Sequence, residues 1–311
     1  QLPPPLSPVY NLTLIASPAL GAAHSRTTID CLVLSLLALL IFFAAARILS
    51  RFERLSFLNT FLLQAKIVEQ AEQLSGEQIE LLAVFSNPTT MMVSSSHVER
   101  IEPLKVGQEL KSLFRLVPPV HVHIEPAASL ADVRQVLSRH SPSLLLFSGH
   151  SFVGTLALEL PSGRVQLPPS KLLIEELSPE RASRLSAVVL NGCETVSLGF
   201  EIVRALPHLS VICWATITED SAARAFSQGF YDAVGTSLLS REKVDLDLAF
   251  ESGLEAFVEA GFASGDPAAF LHDELHPHRR FPVFSGCYGC CPPVHGVVLM
   301  LRSVGGRVEA R

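Results

Sequence analysis

The sequence predicts an α/β fold, a three-layer sandwich whose mostly parallel sheet carries helices on both faces, preceded by one transmembrane helix. Three observations lead there. From about residue 78, short apolar runs rich in Val, Ile and Leu alternate with segments of helical period. Those runs are almost free of charge, as strands covered on both faces must be. Upstream, the sixteen residues Cys31–Ala46 (CLVLSLLALLIFFAAA) carry no charge at all. With 311 residues the chain can bury a sizeable core, and its 17% charged residues fall below the roughly 25% of an average soluble protein. A net charge of −6 without a basic stripe among aromatics argues against nucleic acid as a partner.

Residues 1–28 are rich in proline and small residues and read as an extended arm. Residues 29–49 are the predicted span. Its charge-free part covers about 24 Å of helix, and Arg47 can snorkel to lengthen it towards the roughly 30 Å hydrocarbon core. A signal peptide cleaved after the small residues at 44–46 is the competing reading. Arg47, Arg51, Arg54 and Lys66 follow the span and only Arg26 closely precedes it. The positive-inside rule then places the C-terminal part in the cytosol, or in a matrix or stroma. Residues 50–77 have the apolar spacing of an amphipathic juxtamembrane helix.

The remaining elements follow in order. Residues 78–88 (QIELLAVFSNP) read as a strand ending in a turn, 97–117 as a helix, and 119–126 (PVHVHIEP) as a strand. Residues 129–140 read as a helix that Ser129 caps, with Asp132 in its first turn. SLLLFSGHS (143–151) is a buried strand, followed by short strand-like pieces to about 167. A helix with prolines at its start covers 167–178, SAVVLNGCET (186–195) is another buried strand, and 196–207 is a helix. The strand LSVICWATITED (209–220) precedes two helices, and a final strand is expected at 294–303.

Two strands therefore end in small polar clusters, one presenting His150 and the other Cys193. In parallel sheets, ligands bind outside the carboxyl ends of the strands. A thiol nucleophile needs a nearby imidazole to manage its proton and N–H donors for the oxyanion. Gly149, Ser151 and Gly192 flank the pair and supply such backbone donors, the glycines also permitting tight turns. Cys193 precedes a helix whose dipole would favour its thiolate. Either residue alone reads equally as structural: a buried small hydrophobe for the cysteine, a satisfied core or surface residue for the histidine. No glycine-rich phosphate loop follows the first strand, so a nucleotide site is disfavoured, and no cofactor is expected.

FSGHS (147–151), LNGCET (190–195) and VICWATITEDSAARAFSQGFYDAV (211–234), with Asn87-Pro88 after the first strand, together resemble the CHAT domain. This is a caspase-like cysteine peptidase domain of the group that includes caspases, metacaspases and separases. The likeness covers roughly residues 78–262, and a CHAT domain at 78–270 is its consequence. The resemblance implies that His150 is the base and Cys193 the nucleophile. It makes Asp220 a candidate for the pocket of the residue before the scissile bond (P1), with Glu219 as runner-up and Trp214 nearby. An acidic pocket would favour Lys or Arg there. Ser151 departs from the pattern, which commonly has glycine after the histidine, and a membrane segment stands where helical repeats often precede such domains. The expected function is thus a membrane-anchored caspase-like cysteine peptidase acting on a protein or peptide substrate. The alternative is an inactive CHAT-like domain serving as a subunit of a larger membrane complex.

The tail, 271–311, carries Cys287, Cys290, Cys291 and His295. That spacing lacks the paired C-x2-C arrangement of familiar zinc sites, so a glycine- and proline-rich turn is preferred over a metal site or a lipid-modified or disulfide-forming cysteine, and no metal is assigned.

Overall fold

A computed structural model describes residues 41–42, 78–94, 97–152, 154–263 and 296–311. The expected arm, the span and the juxtamembrane helix lie outside the described residues, except Ile41 and Phe42, which are helical and exposed. Cys287, Cys290, Cys291 and His295 also lie outside them. Among the described residues no helix is long and apolar enough to cross a membrane. The residues from 78 onward belong to one compact unit spanning 63–311.

The architecture is mixed α/β. The strands of the main sheet are β1 (Leu81–Ser86), β4 (Val122–Pro126), β5 (Leu144–Gly149), β10 (Ala187–Asn191), β11 (Ser210–Trp214), β12 (Val298–Val304) and β13 (Arg307–Ala310). They lie side by side in the order β13-β12-β11-β10-β5-β1-β4. The five from β11 to β4 are parallel, while β12 runs antiparallel to β11 and β13 antiparallel to β12. The final strand expected in the tail is therefore part of the same sheet as the candidate site.

Alternation within the strands separates two apolar faces. Leu82, Leu145, Val188 and Val211 share one register row. They belong to a core that takes in α2 (Leu130–His140), α3 (Ser170–Glu176) and α4 (Val196–Ala205). Ala83, Leu146, Val189 and Ile212 form the next row and point the other way, beneath α1 (Val106–Leu116), α5 (Asp220–Leu239) and α6 (Leu246–Glu259). There Trp214 packs against Phe226 and Phe257, with ring centroids 5.7 and 6.1 Å apart. Helices on both faces of a mostly parallel sheet are what the uncharged strands require.

Local chemistry sets the helix ends. Ser129 and Asp132 form a reciprocal capping box at the start of α2, and Asp245 caps α6 through the N–H groups of Asp247 and Leu248. The helix expected over 97–117 begins only at Val106. Pro103 lacks an N–H and disfavours a helical residue before it, so HVER (97–100) instead forms β3 and pairs antiparallel with β2 (Thr90–Ser94). Four two-residue strands after β5, labelled β6 to β9, form the hairpin Ser151–Phe152/Thr155–Leu156 and the pair Leu158–Glu159/Val165–Gln166.

Candidate active site at the ends of β5 and β10

His150 and Cys193 both follow a paired row of the parallel sheet. Ser148 is paired with Asn191 across β5 and β10, so the residues two steps on, His150 and Cys193, leave the sheet at matching positions. The glycines between them are needed for close approach. A Cβ on Gly149 would lie 2.4 Å from the Ser86 carbonyl oxygen, and one on Gly192 would lie 2.9 Å from the Gly149 carbonyl oxygen. Neither glycine has a positive φ, so crowding rather than backbone freedom excludes a side chain. The strained residue is Glu194, whose φ of 51° is left-handed.

His150 is oriented by a backbone carbonyl. Its Nε2 lies 2.8 Å from the oxygen of Glu102. A carbonyl can only accept, so Nε2 carries the proton and the neutral ring has its lone pair on Nδ1. Burial is the chief cause that lowers the pKa of His150, opposed by the Glu102 contact and by the charge of Asp220. The ring is thus a neutral base at neutral pH. The loop that carries Glu102 is anchored two residues on: Asn87 donates from Nδ2 to the Leu104 carbonyl at 3.1 Å and accepts from the Leu104 N–H at 3.0 Å.

Cys193 is a thiol at rest. Its Sγ donates to the Thr218 carbonyl at 3.6 Å and accepts from the Thr218 N–H at 3.4 Å. Burial raises its pKa, and the charges of Glu194 and Asp220 add to the rise against the help of backbone N–H groups. The pKa depression expected from a helix start is not realised. α4 begins at Val196 with Thr195 as its N-cap, which leaves Cys193 outside the first turn, where the dipole acts.

Ser151 donates its hydroxyl to the Cys193 carbonyl, which joins the two strand ends directly. Asp220 opens α5 and its charge reaches both His150 and Cys193. It is also ion-paired with Arg224 one turn on. Glu219 is the residue before that helix, and its carboxylate accepts from the Ser221 hydroxyl. Trp214 is buried, with its Nε1–H donated to Asn191 Oδ1 at 2.8 Å, so it belongs to the core beneath the site.

Glu109 escaped the sequence reading. It sits on α1 among buried residues at helical spacing, Val106, Leu110 and Leu113. A carboxylate within an apolar helical stripe was the available signal. Among the described residues no cluster of His, Cys, Asp and Glu is suited to hold a metal ion.

A CHAT domain matches residues 47–241, more than half of the chain, and the chain belongs to the CHAT domain family. No curated protein matches it. Among solved structures, caspase-1 from Spodoptera frugiperda is similar at 11% identity and a TM-score of 0.38, covering 61% of this chain and 81% of that one. The C-terminal domain of the coenzyme A biosynthesis bifunctional protein CoaBC is similar at 12% identity and a TM-score of 0.25, covering 44% and 74%. Scores this low do not bear on activity.

Proposed function

We propose that this CHAT-family chain is a caspase-like cysteine peptidase. His150 Nδ1 takes the proton from Cys193 Sγ, and the sulfur attacks the carbonyl carbon of a peptide bond. Backbone N–H groups around Gly149, Ser151, Gly192 and Cys193 receive the oxyanion. The proton then passes from His150 to the leaving amine, the C–N bond breaks, and water hydrolyses the thioester. The observation that carries this reading is the matched departure of a tautomer-locked imidazole and a thiol from adjacent parallel strands. A basic P1 side chain would meet Asp220, in competition with Arg224. The reading includes a membrane anchor at residues 29–49, with the domain on the side of Arg47, Arg51 and Arg54, and rests there on sequence alone.

An inactive assembly subunit of a membrane complex is the second reading, favoured by the raised pKa of Cys193 and the engaged hydroxyl of Ser151. A peptide carrying a thiol-reactive warhead separates the two. The peptidase reading expects covalent labelling that is lost in Cys193→Ala and strongly slowed in His150→Ala. Labelling that persists unchanged in Cys193→Ala overturns it.

A further inference from the structure

Below the candidate dyad lies a buried polar cluster that the mechanism above does not use. Phe85, Ser148 and Asn191 occupy one register row of the sheet, and Trp214 continues it on β11. Ser148 and Asn191 each stand two residues before a dyad member. The Glu109 carboxylate reaches both from α1. Its Oε2 accepts from the Ser148 hydroxyl at 2.6 Å, and its Oε1 accepts from Asn191 Nδ2 at 3.0 Å. Oε1 also accepts from the Tyr231 hydroxyl at 2.7 Å and the Ser227 hydroxyl at 3.1 Å, both on α5. Asn191 passes the restraint on, since its Oδ1 accepts from Trp214 Nε1–H.

We infer that Glu109 is a positioning residue of the dyad, one oxygen holding the strand of His150 and the other the strand of Cys193. This rests on the peptidase reading of the two tips. A buried carboxyl is an expensive way to fill a core position, and an apolar residue of similar volume generally packs at least as well. What an apolar residue lacks is directional attachment to two strands at once. The same helix follows the loop that carries the Glu102 carbonyl, so α1 is tied to the strand ends on the side from which His150 is oriented. Glu109 acts through geometry. Burial raises the pKa of Glu109 against the four hydrogen bonds it accepts, whereas the charge of Asp220 bears on both His150 and Cys193.

The test is alkylation of Cys193 in the full chain by iodoacetamide, followed across pH by mass spectrometry of the Cys193 peptide. This probe reads thiol chemistry without substrate recognition. Where His150 is neutral and Cys193 still protonated, wild-type protein should react faster than His150→Ala. If wild type and His150→Ala coincide at every pH, the dyad reading itself fails, before any Glu109 variant is compared, and the positioning role falls with it. With the dyad-dependent limb established, Glu109→Leu should lose it by tenfold or more, since a misplacement of about 1 Å can cost on the order of 100-fold. Glu109→Gln, which keeps an acceptor towards Asn191 and Tyr231 and a polar atom towards Ser148, should restore most of it. A folded Glu109→Leu protein that keeps the wild-type pH profile overturns the inference, as does Glu109→Gln losing as much as Glu109→Leu. If Glu109→Leu does not fold, Ser148→Ala decides, because it removes only the hydroxyl on the His150 strand. A several-fold loss of the limb supports the inference, and an unchanged profile refutes it.

Discussion

Asn87→Asp tests how His150 is oriented while leaving His150 and Cys193 untouched. The wild-type amide makes two hydrogen bonds to the Leu104 backbone, one donated and one accepted, at 3.1 and 3.0 Å. The carboxylate of the variant still accepts from the Leu104 N–H. It cannot donate, and it brings an anionic oxygen against the Leu104 carbonyl. Losing the donated bond costs about 1 kcal/mol, and leaving the partly buried carbonyl unsatisfied adds about 1–2 kcal/mol. A total of about 2–3 kcal/mol is smaller than the roughly 5–15 kcal/mol that stabilises a typical domain, so the protein should stay folded. For a domain of this size the melting temperature should fall by roughly 5–10 °C.

The larger effect falls on chemistry, because Glu102 lies only two residues before Leu104 in the same loop. If its carbonyl moves by about 1 Å, His150 loses the acceptor that keeps the proton on Nε2, and a rate loss of 10- to 100-fold is expected. The assay is the second-order rate of Cys193 labelling by a peptidyl electrophile, measured below the melting transition, with Asn87→Ala as the variant that removes both bonds without adding charge. An Asn87→Asp protein with a lowered melting temperature and a wild-type labelling rate would refute the reasoning, since it would separate loop anchoring from histidine orientation.

Ser151→Gly removes the hydroxyl bond to the Cys193 carbonyl and should cost about 1–2 kcal/mol by denaturant unfolding while slowing labelling no more than about threefold. A loss above tenfold would assign the hydroxyl to catalysis. Arg224→Gln frees Asp220 from its intrahelical partner and should lower KM for substrates with Lys or Arg at P1 by up to about fivefold, the worth of a surface ion pair. Asp220→Asn should erase that preference, and selectivity that ignores both substitutions removes Asp220 from the pocket. Burial, aided by the charges of His123 and Arg139, holds the pKa of His140 down to about 4. The unfolded chain therefore binds a proton that the native state refuses between about pH 6.5 and 4, so stability is full above this window and falls as pH drops through it. The partly exposed ring should contribute roughly 1–2 kcal/mol of this loss. Denaturant melts of wild type and His140→Phe at both ends of the window read it directly, and identical pH dependence in the two would refute it.

Most of the α/β layout was legible, for a physical reason. Strands covered on both faces must be apolar throughout, and their ends show as abrupt polar clusters, so FSGHS and LNGCET marked β5 and β10 to within a few residues. HVER misled because its spacing suits a helix, while Pro103 and pairing with β2 decided the outcome. At Gly149 and Gly192 a side chain would meet neighbouring carbonyls, a crowding that only the assembled sheet reveals. The raised pKa of Cys193 was hidden for the same cause, since desolvation and the charge of Asp220 depend on what the fold brings near.

The site residues that were missed share a property. The groups touching His150 and Cys193 are mostly backbone: the Glu102 carbonyl on His150, and the N–H and carbonyl of Thr218 on Cys193. Any residue type supplies such atoms, so they leave no trace in sequence. Side-chain identity becomes necessary one layer further out, where the backbone itself must be held. There Asn87 grips the loop of Glu102, and Thr195 accepts from the Trp214 N–H while donating within the 190–192 turn. Glu109 spans Ser148 and Asn191 in the same layer. Replacing the Glu102 or Thr218 side chain leaves those contacting atoms in place, whereas replacing Asn87 or Glu109 moves the frame that presents them. The residues that specify this site are therefore its supports as much as His150 and Cys193.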